Sequence, residues 1–304
     1  MGKVCYKVRN WSKYNRALKE RYSLTIWIDA DAEKEWAAKP TGKRGRPFVY
    51  SDLVIKCCLA IRALFRLPLR GAEGFLRSIV NMTKMPVPDY TVLSRRAHRL
   101  NVNLGVVSSG EPVHLVVDSS GLKIYGEGEW KVRIHGVGKR RTWRKIHIGV
   151  DEATSEILVA ELTKADVADC DVLPKMLCKL ESPVSRVGTD GAYDKKKDYR
   201  AIARIGARAI IPPRCDAVAS ARGRPTARDE NIGRINKIGL KRWKLERGYH
   251  RRSLAETAFS RLKRMFGGGL RSRHFENQRT EAMLELSMMN KMTSLGMPKS
   301  VPVN

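Results

Sequence analysis

Acidic residues are the scarce class in this chain. Of 304 residues, 31 are Asp or Glu against 59 Lys or Arg, a net charge of +28. The deficit is not local. Residues 1–100 carry 21 basic and 8 acidic residues, and the remainder carries 38 and 23. That excludes a neutral protein with one basic tail. A chain basic throughout is expected to meet a polyanion, nucleic acid first, with an anionic membrane surface as the alternative. Long apolar runs are also missing; none approaches the roughly 20 residues of a membrane span. The opening stretch MGKVCYKVRNWSKYNR holds no apolar signal-peptide core. The expectation is therefore a cytoplasmic, nucleoid-associated protein with no membrane partner. Cysteine is sparse. Cys5, Cys57, Cys58, Cys170, Cys178 and Cys215 make no C-x-x-C pair and no Cys/His cluster with zinc-finger spacing. They read as reduced, mostly buried small hydrophobes. No internal repeat or long low-complexity segment is present.

What is there divides into an N-terminal segment (1–40), a helical region (41–105) and an α/β region (111–295). In the first, Tyr14 to Glu20 reads as a short helix and SLTIWID as a short strand. In the second, a basic Gly/Pro arm, TGKRGRPFVYSD, leads to Ser51 as N-cap of a helix from Asp52 to about Leu67, stopped by Pro68. Gly71 to Asn81 and Thr91 to about Leu100 are predicted as two more helices. Short helices with tight Pro-containing turns suit a helix-turn-helix-like DNA-binding domain, whose third helix would offer Ser94, Arg95, Arg96, His98 and Arg99 to a groove. An ordinary helical subdomain with a solvated basic face fits the same pattern. RGRP occurs at Arg44–Pro47 and again at Arg222–Pro225. Arg44 and Arg46 on a flat arm would suit a narrow minor groove; a basic linker is the plainer reading.

From residue 111 the pattern changes. HLVVD (114–118) is a buried strand ending in an acid. RKIHIGVD (144–151) and EILVAEL (156–162) form a hairpin. Asp166 to Leu180 is helical, and SRVGTD (185–190) is a second buried strand ending in an acid. Asp194 to Ile205 is a helix and ARAIIPP a further strand. This order predicts a mixed α/β core. Residues 213–247 read as a basic linker or insertion, and 277–292 as a Met- and Leu-rich core helix.

The stretch YHRRSLAETAFSRLK (249–263) reads as one helix, with Leu254, Ala258, Leu262 and Met265 as its apolar stripe and Gly267 to Gly269 as its stop. Tyr249, Arg252, Glu256 and Lys263 share the opposite face. Alone, that face is a solvated surface with i,i+4 ion pairing. Upstream, however, Asp118 and Asp190 each stand at a strand end. Two such carboxylates side by side repel unless a cation sits between them. Mg²⁺ or Mn²⁺ meets that need with carboxylates, waters and phosphate oxygens. A pair of ions roughly 3.5–4 Å apart clamps the attacking and leaving oxygens of a phosphoryl transfer. Glu256 supplies the third carboxylate.

These blocks resemble a known family. VVDSSGLKIYGEGEW, the TDGAYD around Asp190, and Y-x2-R-x3-E-x6-K at Tyr249, Arg252, Glu256 and Lys263 are similar to the three catalytic blocks of bacterial insertion-sequence DDE transposases. The resemblance spans roughly residues 41–292. It implies a ribonuclease H-like catalytic core, with Asp118, Asp190 and Glu256 as catalytic and metal-binding triad for two Mg²⁺ or Mn²⁺ ions. It implies that Tyr249, Arg252 and Lys263 hold DNA phosphates near the scissile bond. It further implies terminal inverted repeats and target double-stranded DNA as substrates, joining through a 3′-hydroxyl, and at least a dimer on DNA. A nuclease of the same fold without strand transfer, or a sequence-specific DNA-binding regulator, would share parts of this pattern.

Other candidates have plainer readings beside the functional ones. Asp151 leads into a hairpin turn. Asp194 is expected to cap the following helix. Trp130 and Trp143 flank the basic stretch KVRIHGVGKRR, where an aromatic could stack an unpaired base or simply pack. His147 could approach the acids or be a satisfied structural histidine.

Overall fold

The computed structural model describes residues 5–28, 35–39, 42, 47–80, 86–108, 110–124, 143–220 and 225–303. Arg44, Arg46, Trp130 and the arginines of the second RGRP copy lie outside them. In chain order the elements are β1 (Cys5–Val8), α1 (Trp11–Glu20), α2 (Leu24–Trp27), α3 (Asp52–Leu64), α4 (Leu69–Val80), α5 (Tyr90–Ala97), β2 (Val113–Ile124), β3 (Trp143–Asp151), β4 (Ile157–Lys164), α6 (Asp169–Leu177), β5 (Val184–Gly188), α7 (Lys196–Arg204), β6 (Arg208–Ile210), α8 (Ala227–Ile238), α9 (Leu240–Glu246), α10 (Ser253–Phe266), β7 (Gly269–Leu270), α11 (Phe275–Leu295) and β8 (Ser300–Val303). They sort into two units, residues 1–105 with 274–304, and residues 106–273.

The first unit is built on α3. The Ser51 hydroxyl caps it by accepting the Val54 N–H. Val54, Ile55, Cys57, Cys58, Leu59, Ala60, Ile61 and Leu64 are all buried. Such a helix must be covered on most sides. One cover is α11, which packs on α3 and α5. Sequence assigned this helix to the α/β region, and the structure groups it with the N-terminal one. The reason is local. Asn277 donates to the Ser94 carbonyl, Thr280 to Ala97 and Asn290 to Leu104, so buried polar groups of α11 satisfy the end of α5 and the chain after it. A Met- and Leu-rich pattern does not say which core a helix joins. SLTIWID also departs from expectation: Leu24–Trp27 is a helical turn rather than a strand. Trp27 is buried and its indole N–H reaches back to the Arg21 carbonyl, a contact an extended chain could not make. Asp89, accepting the Thr91 and Val92 N–H groups, starts α5 one residue earlier than predicted.

The second unit is a mixed sheet in the order β4-β3-β2-β5-β6, with β7 added to the far end of β2. β2, β3 and β4 are antiparallel, whereas β5 and β6 run parallel to β2. This is the mixed α/β sheet that the order of strands and helices predicted. Alternation along β2 divides its side chains. Leu115 and Val117 enter the core shared with α6 and α7. Val116, Asp118 and Ser120 point to the other face, which α10 covers. Leu115 and Val159 close over Gly149 on the core side, where an added Cβ would lie 2.7 Å from a Val159 methyl. His147 is fully buried on that same face, away from Asp118, and its ring meets the Thr163 hydroxyl at 3.0 Å. Burial lowers its pKa to about 4, so it is a neutral structural histidine.

Three further expectations are corrected. β2 does not end at Asp118; it continues to Ile124, because β3 pairs with it through Lys123 and β7 pairs with its last two residues. Residues 213–247 are not merely linker. Thr226 and Asp229 form a capping box for α8, and α9 buries Trp243 completely. Asp194 does not cap α7, whose N-cap is Lys195. It takes a two-point ion pair from Arg228, at 2.7 and 3.1 Å, and the Arg214 N–H, anchoring that segment to the sheet edge. Asp151 does make the expected turn, accepting the Thr154 N–H and hydroxyl.

Asp198 on α7 is fully buried, and neither carboxylate oxygen has a hydrogen-bond partner. Burial pushes its pKa up to about 7. An aspartate raised above its unfolded value of about 3.9 contributes its full stability only below that value, and loses it as pH climbs through the folded pKa. Asp198→Asn should therefore gain on wild type between pH 5 and pH 8, by on the order of 2–4 kcal/mol. Urea unfolding at the two pH values measures this; an unchanged difference would contradict it.

Candidate active site

Asp118 lies mid-strand on β2, opposite Ile148 of β3. β5 runs beside β2 in parallel, with Gly188 against Val116. Two residues further along each strand are Asp190 and Asp118, so the topology sets these carboxylates side by side. Asp190 has left β5 and opens a 3₁₀ turn (Gly191–Tyr193), where it accepts the Ala192 N–H at 2.9 Å. Glu256 comes from the first turn of α10. All three acids act on a shared space. Burial raises the Asp118 pKa most, and the nearby Asp190 and Glu256 charges raise it further, against the Ser119 N–H and the Arg252 guanidinium.

Arg252 bridges two of the acids. Its Nη1 donates to Asp118 Oδ2 at 3.0 Å and its Nη2 to Glu256 Oε1. Lys263, about two turns after Glu256, donates to Ser120 Oγ at 2.7 Å. Ser120 is two residues beyond Asp118 on the same strand face. Two rows therefore oppose each other: Asp118 and Ser120 on β2, and Arg252, Glu256 and Lys263 along the helix. Tyr249 stands before them. Its ring centroid is 6.3 Å from that of Trp243, and Lys244 Nζ lies 5.1 Å from the Tyr249 centroid. Burial raises its phenol pKa, with Asp190, Asp118 and Glu256 adding to the shift and Arg252 opposing it.

The local chain differs from the single predicted helix. Gly248 has φ +67°, Tyr249–Arg252 is a 3₁₀ turn, and the α-helix begins at Ser253. The buried face is Ala255, Ala258, Phe259, Leu262 and Phe266, while Leu254 and Met265 are only half-buried. The sheet sets this face, and its 3.6-residue period runs one position off the predicted stripe. Gly267, at φ +91°, ends the helix as expected.

Sequence reasoning did not single out Ser120 or Tyr193. Ser120 was findable as the i+2 neighbour of Asp118 on a strand. The Tyr193 hydroxyl is buried without a partner, and its pKa is pushed up by burial and by Asp169, Asp118, Asp190 and Asp198. No local pattern announces that position. Trp143 packs: it lies over Gly121, with Lys123 Nζ 5.6 Å from its ring. In the first unit Arg95 and Arg99 are exposed. Arg96 is tied to the Tyr50 carbonyl and Asp52 and lies over the Phe48 ring at 4.0 Å, so it serves the fold.

The donor set suits a hard divalent cation, being three carboxylates from three elements. As the side chains stand, no three His, Cys, Asp or Glu groups among the described residues could hold one ion. A cation nonetheless already spans Asp118 and Glu256, and it is the Arg252 guanidinium. The three carboxylates supply the oxygen donors a divalent cation takes, and two of them are now held by Arg252.

Residues 109–291 match a family model described as the transposase DDE domain, and residues 19–127 match a second model of the same description. Among solved structures, the chain is similar to piggyBac transposase in a synaptic complex with hairpin DNA: 11% identity, 95% of this chain and 76% of that one, TM-score 0.41. It is also similar to the Drosophila P element transposase in a strand transfer complex (12%, 91% and 71%, 0.30). A third likeness is to a simian T-cell lymphotropic virus intasome bound to PP2A regulatory subunit B56 gamma (12%, 65% and 64%, 0.26). No described helix is long and apolar enough to cross a membrane.

An aspartate whose ionised form is disfavoured by burial and by neighbouring acids is better replaced by its neutral isostere. Asp118→Asn should raise the thermal midpoint in metal-free buffer at pH 7. A lower midpoint would show that the Arg252 pair outweighs the repulsion.

Proposed function

This chain belongs to the DDE transposases, enzymes that cut and join DNA, and from that premise we propose that Asp118, Asp190 and Glu256 form its catalytic metal site. The observation that carries the reading is geometric: one guanidinium, Arg252, hydrogen-bonds both Asp118 of β2 and Glu256 of α10, and Asp190 follows the end of β5, the strand paired in parallel with β2. These three would hold divalent cations, two Mg²⁺ or Mn²⁺ ions, which supply charge stabilisation to the attacking and leaving oxygens of an in-line phosphoryl transfer. The substrates are the terminal inverted repeats of a mobile element and its target duplex.

The chain's own residues do the rest. Lys263, set by Ser120, places a point charge two residues along β2 from Asp118, where a backbone phosphate next to the scissile one would lie. Tyr249 and Arg252 flank the acids on the chain entering α10, and a planar guanidinium suits two oxygens of one phosphate. Asp190 keeps its orientation through the Ala192 N–H. A hydrolytic cut leaves a 3′-hydroxyl, which then attacks target DNA. No protein nucleophile is required. In the first unit, exposed Arg95 on α5 and Arg99 just after it contact DNA; Arg44 and Arg46 of the basic arm add to the interface, and Trp130 of the second region offers a ring for base stacking. Joining two ends calls for at least a dimer on DNA.

Asp118→Asn, Asp190→Asn and Glu256→Gln should each lower end cleavage by about 10²–10³-fold or more while end binding changes only a few-fold. Full cleavage by all three variants would remove the metal-site reading. Arg95→Gln with Arg99→Gln should reduce the salt dependence of binding, log K against log salt, by a slope of about 2. Arg96→Gln should instead lower the melting temperature, because it breaks the contacts to Tyr50 and Asp52. Equal salt slopes for wild type and the double variant would place the DNA elsewhere.

A further inference from the structure

The Arg252 bridge does more than a surface ion pair can. The Arg252–Glu256 contact alone would be an i,i+4 pair with a half-exposed glutamate, worth little. The same guanidinium, however, reaches a residue 134 positions away in sequence. It pairs with Asp118, whose side chain is only 14% exposed. One planar cation therefore serves two acids from different elements. Lys263, the other cation on this face, goes to a hydroxyl rather than to an acid.

We infer that Arg252 is the exchangeable counter-cation of this site: it holds Asp118 and Glu256 while no divalent cation is bound, and gives up both when one enters, freeing its guanidinium for a DNA phosphate. The inference rests on the proposed metal-binding role of the three acids. A guanidinium bridging the two carboxylates and a divalent cation at the same oxygens compete, since the bridge occupies a lone pair on Asp118 Oδ2 and one on Glu256 Oε1 and the two cations repel each other. Arg252 is placed to move. It is the last residue of a short 3₁₀ turn, four residues after Gly248 in the left-handed region, and its long side chain keeps 24% of its surface open to solvent. The displaced guanidinium keeps its charge and five donors, the chemistry that recognises a phosphate.

The consequence is coupling. A cation at the acids releases Arg252 for DNA, and DNA that captures Arg252 clears the acids for the cation. Each ligand must then raise the affinity of the other by the same factor. Without DNA, Arg252 competes with the metal, which restrains the acids from filling until a DNA end is present.

The test is Mn²⁺ binding to the full chain, followed by electron paramagnetic resonance of the free ion, with and without a duplex carrying the element end. Without DNA, Arg252→Gln should bind Mn²⁺ about tenfold more tightly than wild type, within the 5–150-fold span usual for coupled sites. Arg252→Lys, which cannot bridge two carboxylates with one plane, should fall between them and serves if the glutamine variant does not fold. Adding DNA should tighten wild type and leave Arg252→Gln nearly unchanged. Equal or weaker Mn²⁺ binding by the variants without DNA overturns the exchange while leaving the metal site standing, provided Asp118→Asn abolishes binding in wild type. If Asp118→Asn leaves Mn²⁺ binding intact, the metal-site reading itself falls and the exchange with it.

Discussion

Repulsion between carboxylates is the constraint on which the second unit depends. A sheet that sets β5 parallel to β2 with Gly188 against Val116 brings Asp190 level with Asp118, and α10 adds Glu256 over the same face. Burial disfavours the ionised Asp118 most and the neighbouring acids add to it, so a cation among them is favoured. The structure supplies one from its own chain in Arg252. The chemistry of the family requires another. On the proposed exchange, the oxygens that now accept from Arg252 would be the metal donors, and the 3₁₀ turn that delivers Arg252 would belong to the site as much as the strands do.

The opposite face of the sheet carries the stability. Leu115, Val117, Val172, Leu173, Ile202 and Ile211 make a dry core with α6 and α7. Even there polar groups are placed at a cost. Asp198 has no partner, and the Tyr193 hydroxyl is buried among acidic neighbours that include Asp118 and Asp190. Asp194, also buried, is by contrast fully answered by Arg228 and the Arg214 N–H. The Arg228 pair holds the first turn of α8 against the end of the Gly191–Tyr193 turn, and the Arg214 N–H holds the segment before it. Removing one member of such a buried pair costs more than the pair itself contributes.

Much of this was legible because it was local or periodic. The β3–β4 hairpin, the Ser51 cap, the Gly267 stop and the alternation around Asp118 follow from residue type and spacing. Asp118 and Asp190 stood out because a carboxylate has few reasons to stand among strand residues, and the structure adds that Glu256 and Arg252 come from the chain packed on the same face. What sequence did not show was tertiary. Nothing in SLTIWID reveals that Trp27 will fold back onto Arg21. Nothing in the Met-rich helix says that Asn277 and Thr280 will satisfy α5. β2 looked finished at Asp118 because the apolar run ends there in an acid, whereas pairing with β3 and β7 carries the strand on to Ile124. Arg252 looked like a DNA ligand on a helix face. The structure adds that it first answers the acids.

The most direct measurement is anomalous scattering from crystals of the full chain grown with Mn²⁺ and an element-end duplex. The account expects a peak about 2.1 Å from oxygens of Asp118 and Asp190, a second reached by Glu256, and the Arg252 guanidinium off both carboxylates and on a phosphate. Peaks that avoid these three side chains, or a bound ion with Arg252 still bridging Asp118 and Glu256, would contradict it.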